Sequence, residues 1–487
     1  MTENHIDVLI VGAGPVGLTM ASFLKHYGIN FRIIDKKDQP TQTSNAVGVQ
    51  ARTLELLNEI NLSEKITEGG RHIKAAHYYM NKKHVGEIDF DAVKSQYPYV
   101  CCIPQSKTEA IFNEHLMQSG VTVERSTTLE KLEKINDRLT ATISKAQGNE
   151  TIHANYVIAC DGYHSTVREF AKVKYQGKDL TYRFLMIDSP VTWDQSLDSM
   201  YIAVANGLAL AMFPMQESVR MIADVSKSPK LKKLDQADEK IFADIVKQCL
   251  DTDTMKIDKP LWQSAFWIHE RLSNHYRDGN IFFMGDAAHA HSPAGGQGMN
   301  TGMQDAINLA WKLALVIKHN GNKTLLDSYE AERKPIAQTL ITNASKATNI
   351  MLSNTPFYWL VRTFIFPRLL SMKSFKAAMS TAIAEVNINY RKSPIVSGKA
   401  QGHIKPGMRI ATLNSPLKGK HLLVDAIGDA KEKLSDYQDT VEFTDLTRAP
   451  NELKALSGYC LIRPDYYIAY VGHRLTDIKH YCKSTLN

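Results

Sequence analysis

The stretch 6-IDVLIVGAGPVGLTMASFLKHYGINFRIIDKK-37 decides the fold. Residues 6–11 form a short apolar run of buried-strand type, followed by GAGPVG, a helical pattern to about His26, a stop at Gly28 and a second apolar run at 31–34 that ends on Asp35. The spacing has a physical reason. Gly12 permits a tight turn, Gly14 lets backbone approach a pyrophosphate, and Gly17 lets helix and strand pack closely, which puts phosphates on the positive helix N-terminus. Pro15 and Val16 open that helix, and Asp35 is placed to accept hydrogen bonds from a ribose. A bare GxGxxG is weak evidence. Strand, turn, helix, strand and terminal acid in this order predict a dinucleotide site. Lys36 and Lys37 beside Asp35 would tolerate a 2′-phosphate, so this stretch alone leaves NADP open.

The remaining composition bounds the answer. A chain of 487 residues, 44% hydrophobic and 22% charged, is an ordinary globular protein of two or three domains. The net charge of +7 is mild and contains no basic run of nucleic-acid type, so small anionic ligands are the expected partners. Six scattered cysteines show neither CxxC nor metal spacing, which favours a reducing compartment. The N-terminus lacks a basic leader pattern, and the expected location is cytoplasmic. The apolar stretch 351–370 is interrupted by Pro356, Arg362, Pro367 and Arg368, so stable membrane insertion is not expected. It reads as a segment packed over another domain, a membrane-surface helix, or a roof over an active site.

Two further stretches repeat the strand-turn-helix grammar. In 155-NYVIACDGYHSTVREFA-171 an apolar strand ends at Asp161-Gly162 before a helix containing Arg168. In 281-IFFMGDAAHAHSPAGGQGMN-300 a strand ends at Gly285-Asp286, and a glycine-rich loop leads to a long helix. His289 and His291 invite a metal reading, with His269 as a third candidate, but no HxxxH or helical carboxylate partner accompanies them; no metal site is expected. No GxSxG turn supports a serine nucleophile.

Together the three stretches resemble, in order, the FAD-dependent group A aromatic hydroxylases, the family of p-hydroxybenzoate and phenol hydroxylases. GAGPVG, DGYHSTVR and GDAAHAHSPAGGQGMN match that family's three motifs, and VGVQARTLELL (47–57), IPQSKTEAIFNEHL (103–116), YRKSPIV (390–396) and LIRPDYYIAYVG (461–472) extend the likeness along the chain. The resemblance implies an α/β protein: a Rossmann-like FAD-binding domain (1–175 and 269–398), an inserted β-sheet substrate domain (176–268) and a thioredoxin-like C-terminal domain (399–487). It implies FAD held by Gly12, Gly14, Pro15, Val16, Gly17, Asp35, Lys36, Arg52, Gln105, Asp161, Gly162, Gly285, Asp286, Pro293, Gly295, Gly296, Gly298, Met299 and Asn300. The helix after the last loop would direct its positive end at the flavin's pyrimidine edge.

With no second GxGxxG unit in the sequence, NADPH or NADH is expected as a visiting co-substrate, with Arg168 a candidate contact for its phosphate. Phe213 and Met215 are candidate substrate-pocket walls, and Arg220 a candidate contact for an acidic or phenolate oxygen. Asn45 stands where many relatives have a basic residue, which puts the anion or flavin contacts usual there in doubt. The C-terminal segment has no CxxC, so a structural or dimer-interface role is expected for it, in a monomer or homodimer.

The implied reaction is monooxygenation. NAD(P)H reduces FAD, molecular oxygen adds, and a flavin hydroperoxide delivers one oxygen atom to a small aromatic or polycyclic substrate. No catalytic side chain is singled out. Alternatives are a reductase of the same superfamily, a tetracycline-type antibiotic-inactivating enzyme, and a flavin-binding protein without turnover. A halogenase would carry WxWxIP, which 261-LWQSAFWIHE-270 does not supply.

Overall fold

The computed structural model describes residues 5–41, 46–135, 138–292, 296–319, 321–353, 355–413 and 415–486. The first motif folds as its spacing dictates: β1 (His5–Val11), α1 (Pro15–His26) and β2 (Phe31–Ile34), with β1 and β2 parallel. The second and third motifs supply β3 (Gly148–Ala159) and β4 (Ile281–Phe283), both parallel to their neighbours in the order β4-β3-β1-β2. Over residues 8–11, 33–34, 156–159 and 281–283 these strands are apolar and buried, as parallel strands covered by helices must be, while the polar first half of β3 is largely exposed. Behind the last loop run α2 (Gly298–Lys318) and α3 (Asp327–Leu352); α2 packs along α1.

A second sheet of eight strands stands beside the first. Its central strands come from Tyr175–Ser189, Ser199–Ala205, Leu208–Pro214, Val219–Asp224 and Trp262–Ser273, the region expected to form the substrate sheet. The sheet draws on more of the chain than that region. The hairpin Ala75–Met80 and Lys83–Asp89 forms one edge, and His289–Ala290 forms the other, so the glycine-rich loop begins as an edge strand of this sheet. The hairpin joins through a parallel pairing with Ser199–Ala205, which no local pattern announces.

The segment 351–370 becomes short helical pieces, Pro356–Leu360 and Phe366–Leu370, joined by a widened π-type turn over Val361–Ile365 just before Pro367. Phe366 and Leu370 are buried against the edge hairpin, while Phe357, Trp359 and Phe364 face solvent. Among the described residues no helix is long and apolar enough to cross a membrane.

The C-terminal segment forms a five-stranded sheet, with His421–Asp425 parallel to Val441–Asp445 and antiparallel to Tyr459–Ile462, which pairs in turn with Ile468–Gly472. A buried charge network ties it to the helices of the first unit. Arg463 grips Glu332 of α3 with both terminal nitrogens, at 2.6 and 2.9 Å, and Asp465 through Nε and Nη2; Lys312 and Asn308 of α2 donate to the same Glu332 oxygen at 2.7 Å. Two cations and two anions balance there without solvent. All six cysteines are buried and free, as expected for a chain without disulfides.

Candidate functional site

In register, Val11 lies beside Ala159, and Ala159 beside Phe283. The three parallel strands therefore end at one level, and the turns at Gly12, Asp161-Gly162 and Gly285-Asp286 emerge side by side at the carboxyl edge of the sheet. That edge is where open α/β sheets bind ligands. Gly12 has φ +102°, and a Cβ there would stand 2.3 Å from the Cys160 carbonyl oxygen; one on Gly17 would stand 1.9 Å from the Gly12 oxygen. Turn, neighbouring strand and helix are packed too tightly for any side chain at either position. A Cβ on Gly14 would meet nothing within 4 Å. The middle glycine thus faces open space.

In front of that space stands the start of α1. Pro15 lacks an N–H, Gly14 offers no capping side chain, and the first intrahelical bond is Leu18 N to Gly14 O at 2.9 Å. The N–H groups of Val16 and Gly17 therefore have no helical acceptor, and no acid in the first turn competes with an incoming anion. Asp35 accepts from Ala13 N at 2.7 Å and from Lys37 N at 2.8 Å, which fixes its carboxylate while leaving lone pairs for further donors. Arg125, which the sequence reading missed, lies with Nη1 3.8 Å from Asp35 and has a buried Nη2 without a partner among the described residues. Lys36 is exposed beside them.

The second turn is built around Asp161. Its Oδ2 accepts from Val167 N, its Oδ1 is buried without a partner among the described residues, and burial raises its carboxyl above the usual range. In the third turn Gly285, at φ +53°, packs against Val16, and Gly302 of α2 closes the same contact: a Cβ there would meet Val16 Cγ2 at 2.7 Å and Gly285 Cα at 3.0 Å. Asp286 is reachable by water yet crowded by protein on its other sides, the condition of a side chain lining a deep cleft; desolvation raises its carboxyl, and His289 opposes the shift.

The two histidines of this loop have structural partners. His289 Nε2 bonds Asp305 Oδ2 at 2.7 Å, and Arg333 Nε donates to Asp305 Oδ1 at 2.6 Å. Burial pushes Asp305 up, but Arg333 and His289 outweigh it and hold the carboxyl below its usual range. His291 Nδ1 lies 2.6 Å from the Ser292 carbonyl, and burial lowers its pKa to about 4. Below this loop Glu385 accepts from Gln304 Nε2 at 2.5 Å and stands 3.5 Å from Thr301 Oγ1; burial raises its pKa to about 8.

Several expected contacts go elsewhere. Arg52 does not face the cofactor edge: it is fully buried, bonded to Glu55 and to the carbonyls of Ile410 and Asp465, and lies over Tyr467, so it ties the first unit to the C-terminal sheet. Arg168 is likewise no free phosphate contact. It donates to Ala287 O at 2.9 Å and Tyr163 O at 2.7 Å beneath the Tyr175 ring, clamping the second turn to the third. Arg220 is fully buried in a two-pronged pair with Asp188, at 2.7 and 2.6 Å, and donates to Ala46 O; its charge is already matched. The Asn300 side chain bridges Gly48 O and Gln50 N and so positions the loop before Arg52.

Gln105 accepts from Ala46 N and donates to Glu109, beside the same loop. Phe213 is half-buried at the margin of an apolar cluster that contains Met215, Val47 and Phe366; Met215 itself is core. Gly162, Gly296 and Gly298 lie at the mouth of the turns, with open space before Gly162 and Gly296 and the His291 ring beside Gly298, and Met299 is partly buried against the main core. Asn45, Pro293 and Gly295 lie outside the described residues.

A dinucleotide of flavin type fits this edge on three observations: open space before Gly14, unsatisfied helix N–H groups behind it, and an unpartnered buried carboxylate oxygen on Asp161. The chain belongs to the family described as FAD binding domain, which matches residues 5–344. The 6-methylpretetramide 4-monooxygenase of Streptomyces rimosus is 29% identical to it, with 96% of this chain and 91% of that protein covered. A rifampicin monooxygenase of Rhodococcus hoagii is 30% identical, with 96% and 95% covered. Among solved structures, the anhydrotetracycline hydroxylase of Streptomyces rimosus superposes with a TM-score of 0.81 at 24% identity, 99% of each chain being covered, which shows a shared fold.

Proposed function

We propose that the protein is an FAD-dependent, NAD(P)H-consuming monooxygenase acting on an aromatic or polyketide-type polycyclic substrate. The observation that carries this reading is the convergence of three glycine-bearing turns, two of them with an acid, on one edge of the parallel sheet, with the eight-stranded sheet continuing directly from the third. In this reading Val16 and Gly17 N–H groups hold the pyrophosphate, Asp35 and Arg125 the adenosine end, and Asp286 the ribityl region, while the N-terminus of α2 meets the pyrimidine edge. Bound there, the flavin supplies acceptance of hydride from the nicotinamide and activation of oxygen. Phe213 and the second sheet exclude water from the reacting face, where access would waste the reduced cofactor. Because buried protein partners already satisfy Arg220 and Arg168, substrate recognition in this reading rests on shape and apolar contact more than on charge.

The likeness to a 6-methylpretetramide 4-monooxygenase and a rifampicin monooxygenase supports oxygenation over a simple reductase. The strand order of the C-terminal sheet supports a thioredoxin-like layer without redox cysteines, and the protein is read as a cytoplasmic monomer or homodimer. The test is a panel of phenolic and polycyclic compounds screened for faster NAD(P)H oxidation, followed by product mass. A gain of one oxygen atom in a product is the expected result. Turnover without oxygen gain on every accepted compound would refute oxygenation in favour of reduction.

A further inference from the structure

The edge hairpin of the second sheet carries an arrangement with no part in flavin chemistry. Regular antiparallel pairing sets Ala75 opposite Asp89 and continues through His77 opposite Glu87 and Tyr78 opposite Gly86. The register then slips: Tyr79 faces His84, and Val85 is the extra residue of a bulge beside Gly86, whose φ is +150°. The slip matters because side chains alternate between faces with a period of two. Without it His84 would share the face of Tyr78; with it His84 joins His77 and Glu87 on the opposite, outer face. Tyr78 and Gly86 meanwhile lie against Phe366 and Leu370, so the inner face is occupied.

On the outer face His77 Nδ1 lies 3.3 Å from His84 Nε2 and 3.3 Å from Glu87 Oε2, and the three ligand atoms all fall within 4.8 Å of one another. Tetrahedral Zn²⁺ with ligand bonds of 2.0–2.1 Å separates its donor atoms by about 3.3–3.4 Å. Two edges of such a tetrahedron are therefore already formed. The His77 ring is steadied by stacking on Tyr201, at 5.3 Å between centroids and 22° between planes, so the central ligand is fixed before any ion arrives. Burial also favours the neutral, ligating form of His77. His84 and Glu87 are exposed, which leaves a fourth position for water and an open path of entry.

We infer that His77, His84 and Glu87 form a binding site for a divalent transition metal, Zn²⁺ being the best match to two imidazoles and one carboxylate in tetrahedral spacing. The ion clamps the two strands of an edge hairpin across its bulge, stiffening the element that supports Phe366 and Leu370. The sequence reading placed no metal here because the three ligands straddle a turn, in 77-HYYMNKKHVGE-87, and reach one face only through the bulge. The inference is independent of the oxygenase reading, since it concerns the sheet edge remote from the His289 strand.

The test uses the full-length protein with its flavin, stripped by a chelator and titrated with Zn²⁺ against a chromophoric competitor, in parallel with His84→Ala and Glu87→Gln. The wild type is expected to bind one equivalent that both variants hold at least about tenfold more weakly, and to show a Zn²⁺-dependent rise in Tm that the variants lose. Ca²⁺ and Mg²⁺, which prefer more oxygen ligands, are expected to do neither. His84 is exposed and its removal leaves no cavity, so the folded variant remains measurable. Absence of a Zn²⁺ equivalent in the wild type, or its retention with unchanged affinity in His84→Ala, would overturn the inference.

Discussion

Glu385 lets burial be converted into a measurable pH dependence. Its carboxyl lies below the glycine-rich loop, 3% exposed, in contact with Gln304 and Thr301, and its pKa is about 8 against an ordinary 4.5. An acid with a raised folded pKa keeps its proton while the unfolded chain loses it, so the folded state binds more protons between pH 4.5 and 8. Stability attributable to this residue is intact below pH 4.5, declines as pH rises, and stops declining above 8. Each unit is worth about 1.4 kcal/mol, so at pH 7 the cost is about 3 kcal/mol.

Glu385→Gln removes that cost while preserving both contacts: the amide oxygen accepts from Gln304, and the amide nitrogen donates to Thr301. The variant should therefore be more stable than wild type at pH 7 by about 3 kcal/mol and nearly equal to it at pH 5. Denaturant unfolding of both proteins at several pH values measures the difference directly, since every other titrating group is shared. A difference that stays flat between pH 5 and 8, or a variant less stable throughout, would refute the assignment of a neutral buried carboxyl.

Three further outcomes follow from the contacts described. Gly302→Val drives a side chain into Val16 and Gly285 and should cost about 1–3 kcal/mol with loss of flavin retention; adding Val16→Ala should restore part of both, as read by thermal melting and bound-flavin absorbance. Asp35→Ala should weaken FAD binding about 10- to 100-fold, corresponding to about 1–3 kcal/mol of lost hydrogen bonding, measured by apoprotein titration. Arg463→Met leaves Glu332 and Asp465 short of a buried cation and should destabilise the protein by about 3–5 kcal/mol, measured by denaturant unfolding.

What was legible in the sequence was whatever short-range spacing encodes. Gly12, Gly17 and Asp35 are constrained by one strand-turn-helix unit, and the structure gives each glycine the crowding its position implies. The strands ending at Ala159 and Phe283 were legible for the same reason, while their parallel pairing followed from the family resemblance alone. Arginine destinations were not. Arg52 bonds carbonyls more than 350 residues away, and Arg220 finds Asp188 only because two antiparallel strands set those positions opposite one another. A motif shows that a cation is wanted, but its counter-ion is chosen by topology. Gly302 and Asp305 left a weak signal: they follow Gly298 by about one and two helical turns, the spacing of a single face packed against backbone.

The buried junction of Arg463, Asp465, Glu332, Lys312 and Asn308 bears on how such chains can be recombined. A C-terminal layer held on by an apolar face could be exchanged between relatives with modest repacking. Here the junction is a closed account of charge, two positive and two negative, drawn from three separated parts of the chain. A chimaera that brought in a foreign terminal layer would have to carry positions 308, 312 and 332 with it, and Arg52 as well. The unit of exchange is therefore the layer together with the helix faces beneath it.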